Sequence, residues 1–284
     1  MTNLIALIDG SIYSESVCDH AAWAAGRMQA SVQIVHAVGR RDTPSAPANL
    51  SGSIGLGART ALLEELAELD AQKAKLSQRR GRVLLEEAQA RLEEQGVKAI
   101  TTTLRNGDVV ETAHELEKDA ELFVIGKRGE AADFAKLHLG SNLERVVRAI
   151  HKPILVASRS FKPVKRFMIA FDGGTSAMKA VDHIARSWLF AGLECRLLMA
   201  GADTPEARKK LDDAAALLLA AGYQVHADIE PGAAGAAIAR RVAADGIDLL
   251  VMGAYGHSRI RSMIIGSTTT EMIRSCLIPV MLFR

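Results

Sequence analysis

The stretch Val251–Ser275, VMGAYGHSRIRSMIIGSTTTEMIRS, decides the fold. It begins with the end of an apolar run that predicts a buried strand, and its last third has a helical pattern. Glycine lets a backbone approach a ligand closely, and a helix start offers unpaired N–H groups with a partial positive charge. A strand, a glycine loop and a helix start in this order predict a phosphate site. The residues that carry this pattern are Gly253, Gly256, Gly266, Ser267 and Thr268.

The same order of predicted elements occurs twice along the chain. Asp9 and Asp172 each end the first apolar strand of a half, at a shift of 163 residues. Gly126 and Gly253 each end the fourth strand, at a shift of 127. The smaller second shift places one insertion between the second and third strands of the first half. We therefore predict two domains, 1–160 with a helical insertion at about 58–80, and 161–284.

Strands that alternate with helices, and that are nearly continuous apolar runs, predict an α/β fold. We expect two tandem five-stranded parallel sheets, each with strand order 3-2-1-4-5 and with helices on both faces. In such a sheet the ligand crevice lies at the carboxyl ends of strands one and four, where the strand order reverses. No GxGxxG motif follows a first strand and no GxxxxGK[ST] motif occurs, which argues against a dinucleotide Rossmann site and a P-loop.

The long charged segment 59–95 allows two interpretations. Its leucines recur at a period of seven residues. This pattern predicts a helix of roughly 55 Å in length, at about 1.5 Å per residue. This helix either covers the sheet of its own half or projects and packs on a partner or on the other half. Gly81 is a candidate position for a break in it.

Composition excludes several classes of function. The net charge is +2 and only 4% of the residues are aromatic, so neither nucleic acid nor an acidic membrane is an expected partner. The three cysteines lie far apart without CxxC spacing, and no histidine has ligand-like spacing, so no metal site is expected. The sequence opens directly on a strand pattern, and we expect a cytoplasmic protein.

The spacing G-x2-G-x9-G-[S/T], followed by a last strand that contains Pro279, resembles the nucleotide-binding loop of the universal stress protein family. Two copies of that single-domain family would cover nearly the whole chain. The resemblance implies an adenine nucleotide alpha hydrolase-like fold and the binding of ATP or a related adenine nucleotide, with or without Mg²⁺. It also implies a pairing of the two halves through their last strands, as in a homodimer, and leaves open a homodimer of whole chains.

The resemblance assigns site residues position by position. The aspartate after the first strand is expected near the ribose or adenine, the end of strand two near the adenine, and the glycine loop at the phosphates. In the second half these are Asp172, Gly173, Met199, Ala200, Gly253, Gly256, Gly266, Ser267 and Thr268. In the first half they are Asp9, His36, Ala37, Gly126, Gly129, Gly140 and Ser141.

The two predicted sites are not equivalent. Ten residues separate Gly129 from Gly140, whereas nine separate Gly256 from Gly266, so the second half is expected to hold the better site. The loops also carry basic residues, which either contact phosphates or are simply solvated: Lys127, Arg128, Arg259 and Arg261. Each aspartate can also merely close a turn, each hydroxyl can cap a helix, and each glycine can serve tight packing.

Three functions follow from these observations. The first is a nucleotide-binding stress-response protein, and the second is an interaction scaffold of the same fold whose helix at 59–95 is the working surface. The third is an adenylating or hydrolytic enzyme, since Asp172-Gly-Gly-Thr-Ser also resembles the first-strand loop of ATP-pyrophosphatase enzymes. Only Asp172 is an acidic candidate tied to the second site, so we assign no catalytic residue and expect weak ATP hydrolysis at most.

Overall fold

The computed structural model describes residues 2–39, 56–127, 141–254 and 265–284. The strands are β1 (Asn3–Ile8), β2 (Ser31–Val38), β3 (Ile100–Asn106), β4 (Leu122–Gly126), β5 (Ile154–Ala157), β6 (Arg166–Ala170), β7 (Glu194–Ala200), β8 (Val225–Glu230), β9 (Leu249–Gly253) and β10 (Val280–Phe283). The helices are α1 (Ser14–Met28), α2 (Leu56–Glu94), α3 (Val109–Leu116), α4 (Ser141–Ala149), α5 (Thr175–Arg186), α6 (Pro205–Ala220), α7 (Ala234–Ala244) and α8 (Ser267–Ser275).

The strands form one sheet of ten, in the order β3-β2-β1-β4-β5-β10-β9-β6-β7-β8. The order 3-2-1-4-5 is confirmed within each half, but the prediction of two separate sheets is wrong. β5 and β10 pair antiparallel, with Leu155 opposite Met281. All four residues of each of these strands are buried and apolar, so an unpaired edge there would expose hydrophobic strand to water. Their pairing removes both edges.

The antiparallel junction reverses the direction of the strands. All other neighbours within each half are parallel. The carboxyl ends of the strands of the first half therefore lie at one edge of the sheet, and those of the second half at the opposite edge. The two predicted crevices face away from each other.

Helices cover both faces of the sheet and enclose two cores. One core contains buried residues of α1, α2, α5 and α6, and the other contains buried residues of α3, α4, α7 and α8. Both cores include strand residues from either half, for example Leu155 and Met281 in the first core. Burial therefore continues across the junction of β5 and β10.

Helix α2 is continuous, so Gly81 does not break it. An added Cβ at Gly81 would lie 2.7 Å from Leu104 Cδ1 and 2.9 Å from His36 Cδ2. Gly81 is therefore the point where the helix backbone approaches the ends of β2 and β3. From Gly81 onward the helix buries Leu85, Ala88 and Leu92, whereas no side chain from Leu62 to Arg80 is buried. The part from Gly81 onward therefore covers the sheet of its own half, and the packing of the earlier part on a partner or on the other half stays a prediction.

In the parts of the chain that the structure describes, every helix is too short or too polar to cross a membrane.

Candidate functional site

The turn after β6 is closed by Asp172. Its Oδ1 atom accepts a hydrogen bond of 2.8 Å from the N–H of Gly174, and Gly173 between them has φ of +72°. The turn after β1 is built in the same way, with Asp9 Oδ1 accepting from the N–H of Ser11 at 3.0 Å. Both aspartates thus have the turn-closing role that the sequence left open as an alternative. Asp172 is also exposed at the carboxyl edge of the sheet, where a ligand can reach it.

The first turns of α5 and α8 meet at Gly253, the last residue of β9. An added Cβ at Gly253 would lie 2.9 Å from Ser176 Cβ, so only glycine fits beside α5. On the other side, Thr269 Oγ1 donates a hydrogen bond of 2.9 Å to the Gly253 carbonyl oxygen. β9 is the parallel neighbour of β6, with Ala170 opposite Met252. The Asp172 turn and both helix starts therefore lie at the same edge of two adjacent strands.

The two helix starts at this edge favour an anion. The residues that precede α5 and α8 are Gly174 and Gly266, and neither helix has a side-chain cap. Neither first turn contains an acidic residue. The N–H groups of both first turns are thus not capped by a side chain, and the Asp172 carboxylate accepts a hydrogen bond from the N–H of Gly174, the residue before α5.

Both ends of the glycine loop are anchored. The N–H of Ala254 donates to Phe283 O at 2.7 Å, and the N–H of Gly266 donates to Ala254 O at 3.1 Å. Ile265 is buried. The loop therefore leaves the fold at Ala254 and returns to it at Gly266, and one hydrogen bond joins these two residues. Between these anchors, Gly256, Arg259 and Arg261 lie outside the described residues.

The end of β7 forms the third side of the candidate site. The register pairs Ala170 of β6 with Leu198 of β7, which places Met199 and Ala200 beside the Asp172 turn. Met199 is buried and Ala200 is half-buried. This edge offers backbone groups rather than charged side chains to a ligand.

Two residues at this edge were missed by the sequence reasoning. Lys210 of α6 lies over the turn, since an added Cβ at Gly173 would be 3.1 Å from Lys210 Cδ. Helical spacing predicts α6 but does not show which of its lysines faces the turn. Thr269, which holds α8 against β9, is one of three consecutive threonines, and nothing in the sequence distinguishes it from its neighbours.

In the first half, helix α2 covers the corresponding edge. An added Cβ at Gly10 would lie 2.9 Å from Leu84 Cδ1 and 3.5 Å from an Arg80 guanidinium nitrogen. The ring of His36 lies against Gly81, and its Nδ1 atom is hydrogen-bonded to Ile8 O at 2.9 Å. The predicted adenine position of this half is thus in contact with a packed helix.

The remaining predicted residues of the first half are only partly described. Ala37 is half-buried near the end of β2, and Gly126 ends β4. Gly129, Gly140, Arg128 and the side chain of Ser141 lie outside the described residues, so the one-residue difference between the loops stays a prediction.

Lys127 contradicts both sequence expectations for a basic loop residue. It is only 8% exposed, and its Nζ atom donates to Ile278 O at 3.1 Å and to Cys276 O. The residue is therefore neither solvated nor directed at a phosphate by these bonds. It joins the end of β4 to the segment that leads into β10.

The described residues hold no group of three or more His, Cys, Asp or Glu side chains that could bind a metal ion. Burial raises the pKa of the Cys18 and Cys195 thiols to about 12, so both remain protonated at neutral pH and are poor nucleophiles. The described residues of the candidate site offer hydrogen bonds and charge, from backbone N–H groups, hydroxyls and a lysine.

Comparison with known proteins shows which family the sequence of this chain matches. Residues 1–158 and 193–284 match the universal stress protein family, and the unmatched part contains β6 and Asp172. A universal stress protein of Synechocystis sp. is 36% identical over 287 residues, covering all of both chains.

Solved structures agree in fold. The crystal structure of a universal stress protein from Archaeoglobus fulgidus superimposes with a TM-score of 0.73 at 20% identity, covering 99% of this chain and 96% of that one. A protein of unknown function from Pseudomonas aeruginosa gives a TM-score of 0.63 at 16% identity, covering 100% and 92%. From the family match and the full-length relative, this chain belongs to the universal stress protein family.

Proposed function

We propose that this protein binds an adenine nucleotide, with ATP as the first candidate, at the carboxyl edge of β6 and β9. The observation that carries the proposal is the meeting of two helix starts at Gly253. Neither start is capped by a side chain, and neither has an acidic residue in its first turn. A polyphosphate placed there would be held by N–H groups and by two helix dipoles.

The neighbouring residues are given roles by the family resemblance. The N–H groups and hydroxyls of Ser267 and Thr268 hold phosphate oxygens, Asp172 contacts the ribose or adenine, and the backbone at Met199 and Ala200 contacts the adenine. Lys210 lies over the same turn and adds a positive charge. Its flexible side chain can follow the phosphates.

The first half is less suited to a nucleotide for two physical reasons. Leu84 and Gly81 of α2 pack on Gly10 and His36, so a ligand would have to displace part of a packed helix. The first turn of α1 contains Glu15, which repels an anion at that helix start. We therefore propose one nucleotide per chain, in the second half.

The proposed activity is binding rather than turnover. Hydrolysis needs an oriented water and neutralisation of developing charge, usually by a metal ion held on carboxylates. The described part of the chain offers no carboxylate cluster for a Mg²⁺ cage, so any Mg²⁺ would be held mainly by the phosphates themselves. Nucleotide occupancy would act by stabilising one arrangement of the glycine loop and of the surface around it.

The test is thermal unfolding with and without millimolar ATP and Mg²⁺. A ligand at a hundredfold excess over its Kd stabilises the folded state by about 2.7 kcal/mol. For a chain of this size, that corresponds to a rise in Tm of roughly 5–10 °C. The matched variants are Asp172→Ala and Asp9→Ala, since both aspartates close the same kind of turn.

Asp172→Ala is expected to reduce the ATP-dependent rise in Tm, and Asp9→Ala to leave it unchanged. No rise in the unsubstituted protein, together with no nucleotide released on denaturation, would remove the proposal. The reverse pattern of the two variants would move the site to the first half.

A further inference from the structure

The amino-terminal part of α2, from Leu62 to Arg79, is a helical arm with exposed leucines. None of its side chains is buried, whereas the same helix buries residues regularly from Gly81 onward. Leu66, Leu69 and Leu76 are 37%, 55% and 63% exposed. In proteins most of the stability of a helix comes from tertiary packing of an apolar face. The exposed leucines therefore indicate a contact that the described part of the chain does not make.

Four leucines of the arm lie on one face, and Leu63, 38% exposed, lies beside it. Leu62, Leu66, Leu69 and Leu76 follow the alternating four- and three-residue spacing of a coiled-coil seam, with Lys73 at the one polar position between them. Val83, 46% exposed, extends the face by one heptad. The narrow width of this seam fits a second helix better than it fits a sheet or a globular surface.

The charges of the arm are separated along its length. An acidic block is followed by a basic block, with Gln72 between them. The acidic block is Glu64, Glu65, Glu68 and Asp70, and the basic block is Lys73, Lys75 and Arg79. Two parallel copies of the arm would place like charges side by side. Two antiparallel copies place each acidic block beside a basic block.

We propose that the arm is a homodimerisation surface, on which the arm of a second copy of this chain packs antiparallel. A two-fold axis near Gln72 brings the two surfaces together as one self-complementary interface. In this pair each heptad position a faces a position d of the other arm, so Leu66 at position a lies opposite Leu76 of the partner subunit at position d. The same register places Glu65 beside Arg79 of the partner subunit. This surface is separate from the proposed nucleotide site, so either proposal can fail without the other.

The first test measures the mass in solution over a series of protein concentrations by sedimentation velocity. The unsubstituted chain is expected to reach twice the mass of one chain as its concentration rises. Leu69→Glu places a charge on the apolar seam and should leave a monomer. Ala71→Glu adds the same charge two residues away on the opposite face of the arm and should leave the dimer intact. Equal circular dichroism spectra would show that both variants are folded.

A monomeric unsubstituted chain at every concentration would overturn the proposal, including the case in which the arm binds a different protein instead. A dimer that survives Leu69→Glu would also overturn it, because the contact would then lie elsewhere.

The second test uses reversed charges. Replacing the acidic block by lysine (E64K/E65K/E68K/D70K) gives an arm that is basic throughout, and replacing the basic block by glutamate (K73E/K75E/R79E) gives one that is acidic throughout. Each variant alone is expected to be monomeric through like-charge repulsion, and an equimolar mixture is expected to recover the dimer mass. A mixture that stays monomeric would overturn the role of the charges.

Direction is tested by single cysteines on the arm of a chain that carries Cys276→Ser, because Cys276 is half-buried whereas Cys18 and Cys195 are buried in the cores. Gln72→Cys, near the two-fold axis, is expected to cross-link to its own copy. Leu62→Cys is not, because in an antiparallel pair the two copies of residue 62 are about 30 Å apart, at about 1.5 Å per residue. A Leu62→Cys cross-link as efficient as that at position 72 would show a parallel pair and overturn the proposed arrangement.

Discussion

Replacement of Gly81 by alanine tests the close packing of α2 that distinguishes the first-half edge from the candidate site in the second half. Alanine is favoured over glycine in a helix interior by about 1 kcal/mol, so the substitution stabilises α2 considered alone. The new methyl group, however, would lie 2.7 Å from Leu104 Cδ1 and 2.9 Å from His36 Cδ2. The His36 ring is held by its hydrogen bond to Ile8 O, so it does not move freely. Overpacking of this kind costs about 1–3 kcal/mol.

Gly26 of α1 provides the matched control. It is exposed, lies inside a helix, and has no atom within 4 Å of the position that a Cβ would take. Gly26→Ala should therefore be stabilised by the higher helix propensity of alanine alone, by about 1 kcal/mol. The difference in stability between the two variants then measures the cost of the contact at Gly81.

Thermal unfolding of the two variants gives the result. Gly81→Ala should unfold at a temperature roughly 2–12 °C below that of Gly26→Ala, from a difference of about 1–3 kcal/mol at about 2–4 °C per kcal/mol. If the two variants were equally stabilised, α2 would not pack tightly over the end of β2. The physical reason for placing the nucleotide in the second half would then be lost.

Three further substitutions are predicted to change stability. Burial raises the pKa of Asp19, but its hydrogen bonds, chiefly from Arg91, outweigh burial and hold the pKa below its usual value. Its contribution is thus present above the unfolded pKa of about 4 and is lost as the pH falls through the folded pKa. Asp19→Asn should cost about 1 kcal/mol at neutral pH and nothing at about pH 2 in urea unfolding, whereas an equal difference at both pH values would contradict the assignment. Lys127→Met leaves two carbonyls of the second half without their buried donor and should lower the free energy of unfolding by about 1–3 kcal/mol, and an unchanged value would show that this bond does not join the halves. Thr269→Val removes the hydrogen bond to the strand-end glycine and should cost about 1 kcal/mol, whereas Thr270→Val keeps that bond and should cost less; equal losses would contradict the proposed anchor.

The sequence predicts the secondary structure well because the strands are short and bounded by turn residues, and most of them are apolar. β7 (Glu194–Ala200), for example, lies between Gly192 and Gly201. The Asp172 and Gly253 features fall on adjacent strands as expected, since strand order 3-2-1-4-5 places strands one and four together. These conclusions follow from local pattern and topology alone.

Other features depend on contacts that a linear pattern does not contain. The apolar runs of β5 and β10 show that both strands are buried but not that they pair with each other. Only the family resemblance implied a pairing through the last strands, and the strand pattern alone predicted two sheets. Gly81 was considered a helix break, whereas it marks the close approach of α2 to β2 and β3. The buried position of Lys127 likewise depends on carbonyl groups about 150 residues further along the chain.

The proposed function requires one adenine nucleotide site per chain, in the second half. Its most direct test is calorimetric titration of nucleotide-free protein with ATP in the presence of Mg²⁺, repeated with the Asp172→Ala variant. We expect one ATP bound per chain and a marked loss of affinity for ATP in the variant. Two equivalent sites per chain, or no binding, would contradict it.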